Sequence, residues 1–122
     1  MAEKEVARGP VLVVDDSEGI RSYLSTLVRS WGYEVESVSS GEAAVSFVED
    51  GGTPGLVLLD LMLPGMGGLE ALERIRKLDE MIPVVILSVV SRARAIVEAM
   101  RCGAADFINK PFEESEIGRA YV

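Results

Sequence analysis

The sequence predicts an α/β fold, written (βα)5, in which five strands alternate with five helices. Five short apolar runs are spaced along the chain, and each is followed by a segment with helical periodicity. Continuous runs of aliphatic residues are typical of strands that are buried on both faces of a parallel sheet. Strict alternation joins such strands by right-handed crossovers, which cover both faces of the sheet with helices. We therefore expect a doubly wound, five-stranded parallel sheet.

The central strand is predicted from four aliphatic residues in succession, 56–59, which are followed at once by Asp60. Pro64 and Gly65 then break the run. Because a charged carboxylate is costly to bury, we expect Asp60 to emerge where the strand ends, at the carboxyl edge of the sheet. Ligands of open α/β sheets bind at that edge.

The first two units follow the same pattern. Residues 11–14 form an apolar strand that ends in Asp15, Asp16 and Ser17, each of which can cap a helix. Apolar residues then recur with helical spacing over 20–31. Residues 33–38 alternate as a second strand, and Ser40 can cap the helix behind it.

The remaining units are predicted by similar signals. A helix runs over 69–78, and a strand over 84–87 ends in Ser88. A helix over 93–100 stops at Gly103, and a fifth strand over 105–109 leads to Lys110. The last segment, 112–122, is only weakly helical because it contains Gly118.

Composition limits the classes of function. The 122 residues suit one domain, which we place at 10–122 behind a loose tail at 1–9. A net charge of −8 argues against direct binding to nucleic acid or to an anionic membrane. The single cysteine, Cys102, allows no internal disulfide, and no apolar run is long enough to span a bilayer. We expect a cytoplasmic protein.

Chemically active residues end four of the predicted strands: Asp15 with Asp16, Asp60, Ser88 and Lys110. In a parallel sheet these ends share one edge. Carboxylates held close together require a cation or a proton, and an all-oxygen site suits Mg²⁺. Mg²⁺, a lysine and a hydroxyl together fit phosphoryl chemistry, with Asp60 either as the nucleophile or as a metal ligand only.

Each residue taken alone has a simpler interpretation. The aspartates at 15–16 can be a helix cap, Asp60 a solvated strand end, and Ser88 the cap of the next helix. Lys110 can be a surface charge, and Phe107 a core aromatic. All of these interpretations would have to hold together at one edge of one sheet, which favours the functional site.

Three stretches, 11–16, 58–65 and 103–111, resemble the receiver domain of two-component response regulators. The resemblance covers the chain from about Pro10 onward. It implies a flavodoxin-like sheet with strand order 2-1-3-4-5. It also implies that Asp60 accepts a phosphoryl group from a phosphohistidine of a sensor histidine kinase or a phosphotransfer protein.

The resemblance assigns the other site residues. Asp15, Asp16 and Asp60, with the backbone carbonyl of Met62, would hold Mg²⁺, and Lys110 would pair with the phosphoryl group. The switch residues would be Ser88 and Phe107, which act on the face formed by the fourth helix, the fifth strand and the fifth helix.

The output is less closely defined. Residues 91–112 are similar to receivers of sigma-54-dependent, nitrogen-regulator-type activators, which implies control of transcription. A homodimer through the face of the fourth helix, fifth strand and fifth helix is also implied. Arg92, Arg94 and Arg101 make the fourth helix locally basic, which fits a solvated face better than a docking site.

The sequence departs from the family at several positions. Val89 is larger than the usual residue, so we expect slow labelling by small phosphodonors. Met62 and Val90 cannot orient an attacking water well, so we expect a long-lived phosphoaspartate. Gly67 should loosen the start of the third helix, and Cys102 should be a small buried packing residue.

Three other functions compete with that of a receiver. A pseudo-receiver, a phosphorylation-independent interaction module, is the main alternative, and Val89 is its best support. A small phosphohydrolase lacks an evident substrate cap. A flavin carrier is disfavoured because the acidic stretch 15–18 cannot cradle a phosphate.

Overall fold

The computed structural model describes residues 9–89, 92–110 and 117–118. Within these ranges the chain forms five strands that alternate with four helices. In chain order they are β1 Val11–Val14, α1 Glu18–Ser30, β2 Val35–Val38, α2 Gly41–Glu49, β3 Leu56–Asp60, α3 Gly68–Leu78, β4 Val84–Ser88, α4 Ala93–Arg101 and β5 Asp106–Asn109.

The five strands form one parallel sheet in the order β2-β1-β3-β4-β5. This arrangement confirms the predicted flavodoxin-like order. In the register of the sheet Val14 lies beside Leu59, and Asp60 lies beside Leu87. The ends of β1, β3 and β4 therefore lie within two residues of one another in the register, and the residues at these ends emerge side by side.

Helices cover both faces of the sheet, as the alternating pattern predicts. One core lies between the sheet and α2, α3 and α4, and it includes Leu59, Leu72 and Ile96. The other core lies beneath α1 and includes Leu24, together with Ile117 from the C-terminal segment. All residues of β1, β3 and β4 are buried, which explains their unbroken apolar sequences.

The helix starts differ in how they are capped. The Oγ atoms of Ser17 and Ser40 accept hydrogen bonds from the backbone N–H groups of Ile20 and Ala43, as expected for N-caps. Helix α3 begins after Gly67, which has a φ of 82° and offers no side chain to the cap. The start of α3 therefore lacks a side-chain cap.

Two strands are shorter than the sequence pattern predicts. Strand β2 begins at Val35 rather than at residue 33, since its pairing with β1 starts where Val35 lies beside Val11. Strand β5 begins at Asp106, which pairs with Val85.

Some expectations fall on residues outside the described ranges: the tail at 1–8, Val90, and most of the final helix at 112–122. Of that last segment the structure describes Ile117 and Gly118, which are helical. No helix among the described residues combines the length and apolar character needed to cross a membrane.

Candidate functional site

The carboxyl edge of the sheet brings together three aspartates. Asp15 and Asp16 follow β1, and Asp60 ends the neighbouring strand β3. One carboxylate oxygen from each lies within 4.8 Å of the other two. Asp15 is 1% exposed and Asp60 is 5% exposed, whereas Asp16 is open to solvent. The predicted gathering of these three residues is present.

Asp15 is fixed by the first turn that follows β1. Its Oδ1 accepts a hydrogen bond of 2.9 Å from the backbone N–H of Ser17. Its backbone carbonyl accepts a hydrogen bond of 2.8 Å from Nη1 of Arg21 on α1. The carboxylate is therefore held in one orientation before any ligand binds.

Asp60 is held by the loop that follows it. Its Oδ1 accepts a hydrogen bond of 3.0 Å from the backbone N–H of Met62. Burial raises the pKa of the Asp60 carboxyl, and the charge of Asp15 raises it further. The Met62 hydrogen bond and the nearby Lys110 lower it, but they do not outweigh burial. The ionised carboxylate is therefore in an unfavourable environment.

Lys110 supplies the cation nearest to these carboxylates. Its Nζ lies 3.0 Å from Oδ2 of Asp15 and 3.4 Å from Oδ2 of Asp60. Its backbone N–H donates to the carbonyl of Ser88, which fixes the start of the loop after β5. Burial lowers the pKa of Lys110, but the hydrogen bond and charges from Asp15 and Asp60 outweigh it, so the net shift is upward. Lys110 is therefore charged at neutral pH.

The residues present fit a hard divalent cation. Three carboxylates face one ammonium group, so the cluster retains an excess of negative charge. Carboxylate oxygens that converge within a few ångströms are the ligands that Mg²⁺ prefers, and the exposure of Asp16 leaves room for water. The backbone carbonyl of Met62 lies in the loop that also holds Asp60 in place.

The structure places Ser88 and Phe107 near this edge but not in the carboxylate cluster. Ser88 is 1% exposed, and its Oγ donates a 3.4 Å hydrogen bond to the carbonyl of Val89. Phe107 is half-buried in β5 and lines an apolar groove of about 550 Å³ against α4. The groove is formed by Ala93, Ile96, Val97, Met100, Arg101, Phe107 and Asn109.

Sequence reasoning missed one residue beneath the site. Gly68 begins α3, and a Cβ atom built there would lie 2.5 Å from the backbone oxygen of Asp60 and 2.6 Å from Cα of Leu61. Its N–H donates to the carbonyl of Leu61. Helix α3 therefore packs directly on the end of β3, which only a glycine permits. Because Gly68 lies in a glycine-rich loop, the sequence alone did not distinguish it from glycines that serve only the turn.

The expected burial of Cys102 is wrong. The residue is half-buried, and its Sγ lies 3.5 Å from Oε2 of Glu73 as a weak donor. Desolvation raises the pKa of the thiol, and the hydrogen bond and charge of Glu73 raise it further. Cys102 follows the last turn of α4, where it packs against the margin of the core and its Sγ contacts Glu73 of α3.

Comparisons with known proteins agree with this geometry. The chain is 35% identical over 107 residues to the regulatory protein AtoC of Escherichia coli, an alignment covering 88% of this chain and 23% of AtoC. It is 34% identical over 112 residues to the chemotaxis protein CheY of Thermotoga maritima, with 90% of this chain and 92% of CheY covered. The crystal structure of the receiver domain of NtrX from Brucella abortus superimposes with a TM-score of 0.83 at 33% identity, covering 91% of this chain and 96% of that domain.

The extent of these matches differs among the relatives. The chain spans about a quarter of AtoC but nearly all of CheY. The sequence profile of the response regulator receiver domain matches residues 11–121. The protein belongs to the response regulator receiver domain family.

Proposed function

We propose that this domain accepts a phosphoryl group on Asp60 from a phosphohistidine of a sensor histidine kinase or a phosphotransfer protein. The observation that carries the proposal is the buried Asp60 carboxylate at the carboxyl edge, with Asp15, Asp16 and Lys110 within reach. Burial raises the pKa of the Asp60 carboxyl. The negative charge at this position, whether on the carboxylate or on an attached phosphoryl group, is stabilised by a neighbouring cation such as Lys110.

The proposed transfer replaces a bond between phosphorus and a histidine nitrogen by a bond between phosphorus and a carboxylate oxygen. A carboxylate oxygen of Asp60 forms a bond to phosphorus while the bond from phosphorus to the histidine nitrogen breaks. The imidazole nitrogen keeps the electron pair and takes up a proton from solvent. Lys110 remains charged and lies on the Oδ2 side of Asp60, where it can pair with the negative oxygens of the transferred group.

Asp15, Asp16, Asp60 and the backbone carbonyl of Met62 would hold Mg²⁺ in this site. When bound, the ion supplies positive charge that lowers the repulsion between these carboxylates and a phosphoryl group. The protein's own contribution is to hold the ligands in place. The N–H groups of Ser17 and Met62 orient the carboxylates of Asp15 and Asp60, respectively.

The proposed switch uses Ser88 and Phe107. Because the hydroxyl of Ser88 makes a long hydrogen bond to the adjacent carbonyl and no other among the described residues, the oxygens of a phosphoryl group on Asp60 would be better acceptors. A shift of Ser88 would open space beside β5 for Phe107, which lines the groove against α4. The face formed by α4, β5 and the C-terminal helix would then carry the output, including dimerisation, as expected from the sequence.

The biological output proposed is control of transcription through a partner or an attached domain, since the relative YkoG of Bacillus subtilis is a transcriptional regulatory protein by name. The site of action proposed is the cytoplasm, where the histidine of the kinase would be phosphorylated. The domain is proposed to act as a phosphoacceptor rather than as an enzyme that turns over an external substrate.

Phosphorylation followed by intact-protein mass spectrometry tests the proposal. The protein is incubated with a small phosphodonor or a phosphorylated kinase, with Mg²⁺ or with a chelator. We expect one phosphoryl adduct in the wild type with Mg²⁺ and none in Asp60→Asn. Asp50→Asn removes an exposed carboxylate on another part of the surface and should label normally. An absence of labelling in the wild type would instead support the pseudo-receiver.

A further inference from the structure

We propose that the groove between α1 and β2 is a binding site for a small oxyanion of the phosphate class. The groove has a volume of about 310 Å³ and is lined mainly by polar groups. Its residues are Glu18, Arg21, Ser22, Ser25, Thr26, Arg29 and Ser37. The proposal is independent of phosphorylation at Asp60, because it concerns other residues and requires no divalent cation.

The charge of the groove is the first observation. Two guanidinium groups line it against one carboxylate, that of Glu18, in a chain whose net charge is −8. In the described part of the chain, neither Arg21 nor Arg29 forms an ion pair with a carboxylate. A local excess of positive charge within an acidic protein favours an anion at that place.

The two arginines are already oriented. Nη1 of Arg21 donates to the backbone carbonyl of Asp15 at 2.8 Å, and Nη2 of Arg29 donates to the carbonyl of Val35 at 3.4 Å. A guanidinium group has five N–H donors, so each arginine keeps others for a ligand. Anchoring of this kind lowers the entropy lost when a ligand is bound.

Hydroxyl groups line the space between the arginines. Ser22, Ser25 and Thr26 follow Arg21 on α1 at helical spacing, and Ser37 faces them from the edge strand β2. Ser25 is 6% exposed, and its hydroxyl takes part in none of the hydrogen bonds among the described residues. A buried hydroxyl without a partner in a polar groove is costly unless water or a ligand binds it. An oxyanion accepts from arginines and hydroxyls together.

The size of the groove limits the ligand. A volume of 310 Å³ is at the low end of sites for small molecules, which suits a free oxyanion or a compact phosphate ester rather than a polymer. The shared chemistry is a tetrahedral oxyanion. Its source, inorganic phosphate or a phosphorylated metabolite, is distinguished by the choice of probe.

A titration followed by amide NMR spectra tests the site. Sodium phosphate is added at constant ionic strength, without divalent cations, and adenosine 5′-monophosphate is the second probe. We expect saturable shifts confined to amides of α1 and β2. Tighter binding of the nucleotide would identify a phosphate ester as the ligand, and equal binding would identify the free oxyanion.

Variants assign the binding to these residues. Arg21→Gln and Arg29→Gln should each weaken phosphate binding about tenfold or more, since each removes charge-assisted hydrogen bonds. Ser25→Ala should weaken it severalfold while the spectrum remains that of a folded protein. Arg94→Gln removes one charge from α4, on the other face of the sheet, and should change the affinity less than twofold.

Two results would overturn the proposal. One is a shift that grows in proportion to phosphate without saturation. The other is an equal loss of affinity in Arg94→Gln and Arg29→Gln, which would mean that phosphate responds only to the net charge. If Arg21→Gln fails to fold because Asp15 loses its anchor, Arg29→Gln and Ser25→Ala still decide the outcome.

Discussion

Replacement of Asp60 by asparagine should stabilise the protein when divalent cations are absent. The side chain is nearly buried, and its carboxylate lies among two others and one ammonium group. Asparagine has almost the same shape and keeps an oxygen that can accept the hydrogen bond from the N–H of Met62. The change therefore tests the charge of Asp60 with little change in packing.

The magnitude follows from the distances. With 4.8 Å as the largest separation in the cluster, repulsion between Asp60 and either Asp15 or Asp16 is at least about 3.5 kcal/mol for an effective dielectric constant of about 20. Attraction to Lys110 at 3.4 Å is about 4.9 kcal/mol on the same scale. The two repulsions together exceed the one attraction by roughly 2 kcal/mol, which is the net destabilisation of the charged Asp60 side chain. Solvent around the exposed Asp16 reduces this destabilisation, and the burial of Asp60 adds to it. We expect the free energy of unfolding to rise by about 1–2 kcal/mol.

The pH dependence has a definite sign. The pKa of Asp60 is raised, first by burial, so the folded state binds the proton more tightly than the unfolded state does. Ionisation of Asp60 therefore lowers the stability of the wild type as pH rises from the ordinary aspartate pKa through the raised value. The asparagine variant lacks this loss. Its advantage should be small at acidic pH and reach its full size near neutral pH.

Urea unfolding followed by circular dichroism measures these differences. Glu36→Gln removes one exposed carboxylate from β2 and controls for net charge. Mg²⁺ at about one hundred times its dissociation constant should stabilise the wild type by about 2.7 kcal/mol and so offset the advantage of Asp60→Asn. A variant that is less stable than the wild type at neutral pH in chelator, with Glu36→Gln unchanged, would refute the reasoning.

Three further predictions concern neighbouring residues. Lys110→Met should lower the free energy of unfolding by about 2–3 kcal/mol near neutral pH by leaving buried carboxylates unpaired. Because the pKa of Lys110 is raised, its contribution should persist until strongly alkaline pH, which urea unfolding across that range would check. Gly68→Ala should lower the free energy of unfolding by about 1–3 kcal/mol, because the added Cβ clashes with the end of β3. Gly19→Ala on α1 is the control and should cost nothing, since its added Cβ meets only Ser17 Oγ at 3.8 Å. Thermal unfolding measures both variants, and an equal effect would mean that close packing at Gly68 is unimportant. Val89→Ala should label faster with acetyl phosphate in timed mass spectra, and an unchanged rate would count against a steric role for Val89.

The sequence was sufficient for the elements and for the edge on which the site lies. Unbroken aliphatic runs identify β1, β3 and β4 because their residues are buried on both faces. Polar residues that directly follow such runs, such as Asp60, must then emerge at one edge. The strand order could not be predicted from periodicity, and its correct prediction came from the resemblance to receiver domains.

Other features depend on how elements cross in space, which no local pattern records. The need for Gly68 arises because α3 approaches the end of β3 closely. The contact of Arg21 with the Asp15 carbonyl depends on the path of α1 beside β1. Strand β2 starts at Val35 because its partner strand begins there. The half-buried position of Cys102 depends on Glu73 of the neighbouring helix.

The contacts of Lys110 explain how two buried carboxylates can lie close together at this edge. Its ammonium group lies against Oδ2 of both Asp15 and Asp60, so one cation screens the two buried carboxylates. Negative oxygens added at Oδ2 of Asp60 would lie on the side that the ammonium group already occupies. The position from which Lys110 screens the two carboxylates is therefore also the position from which it can pair with such oxygens.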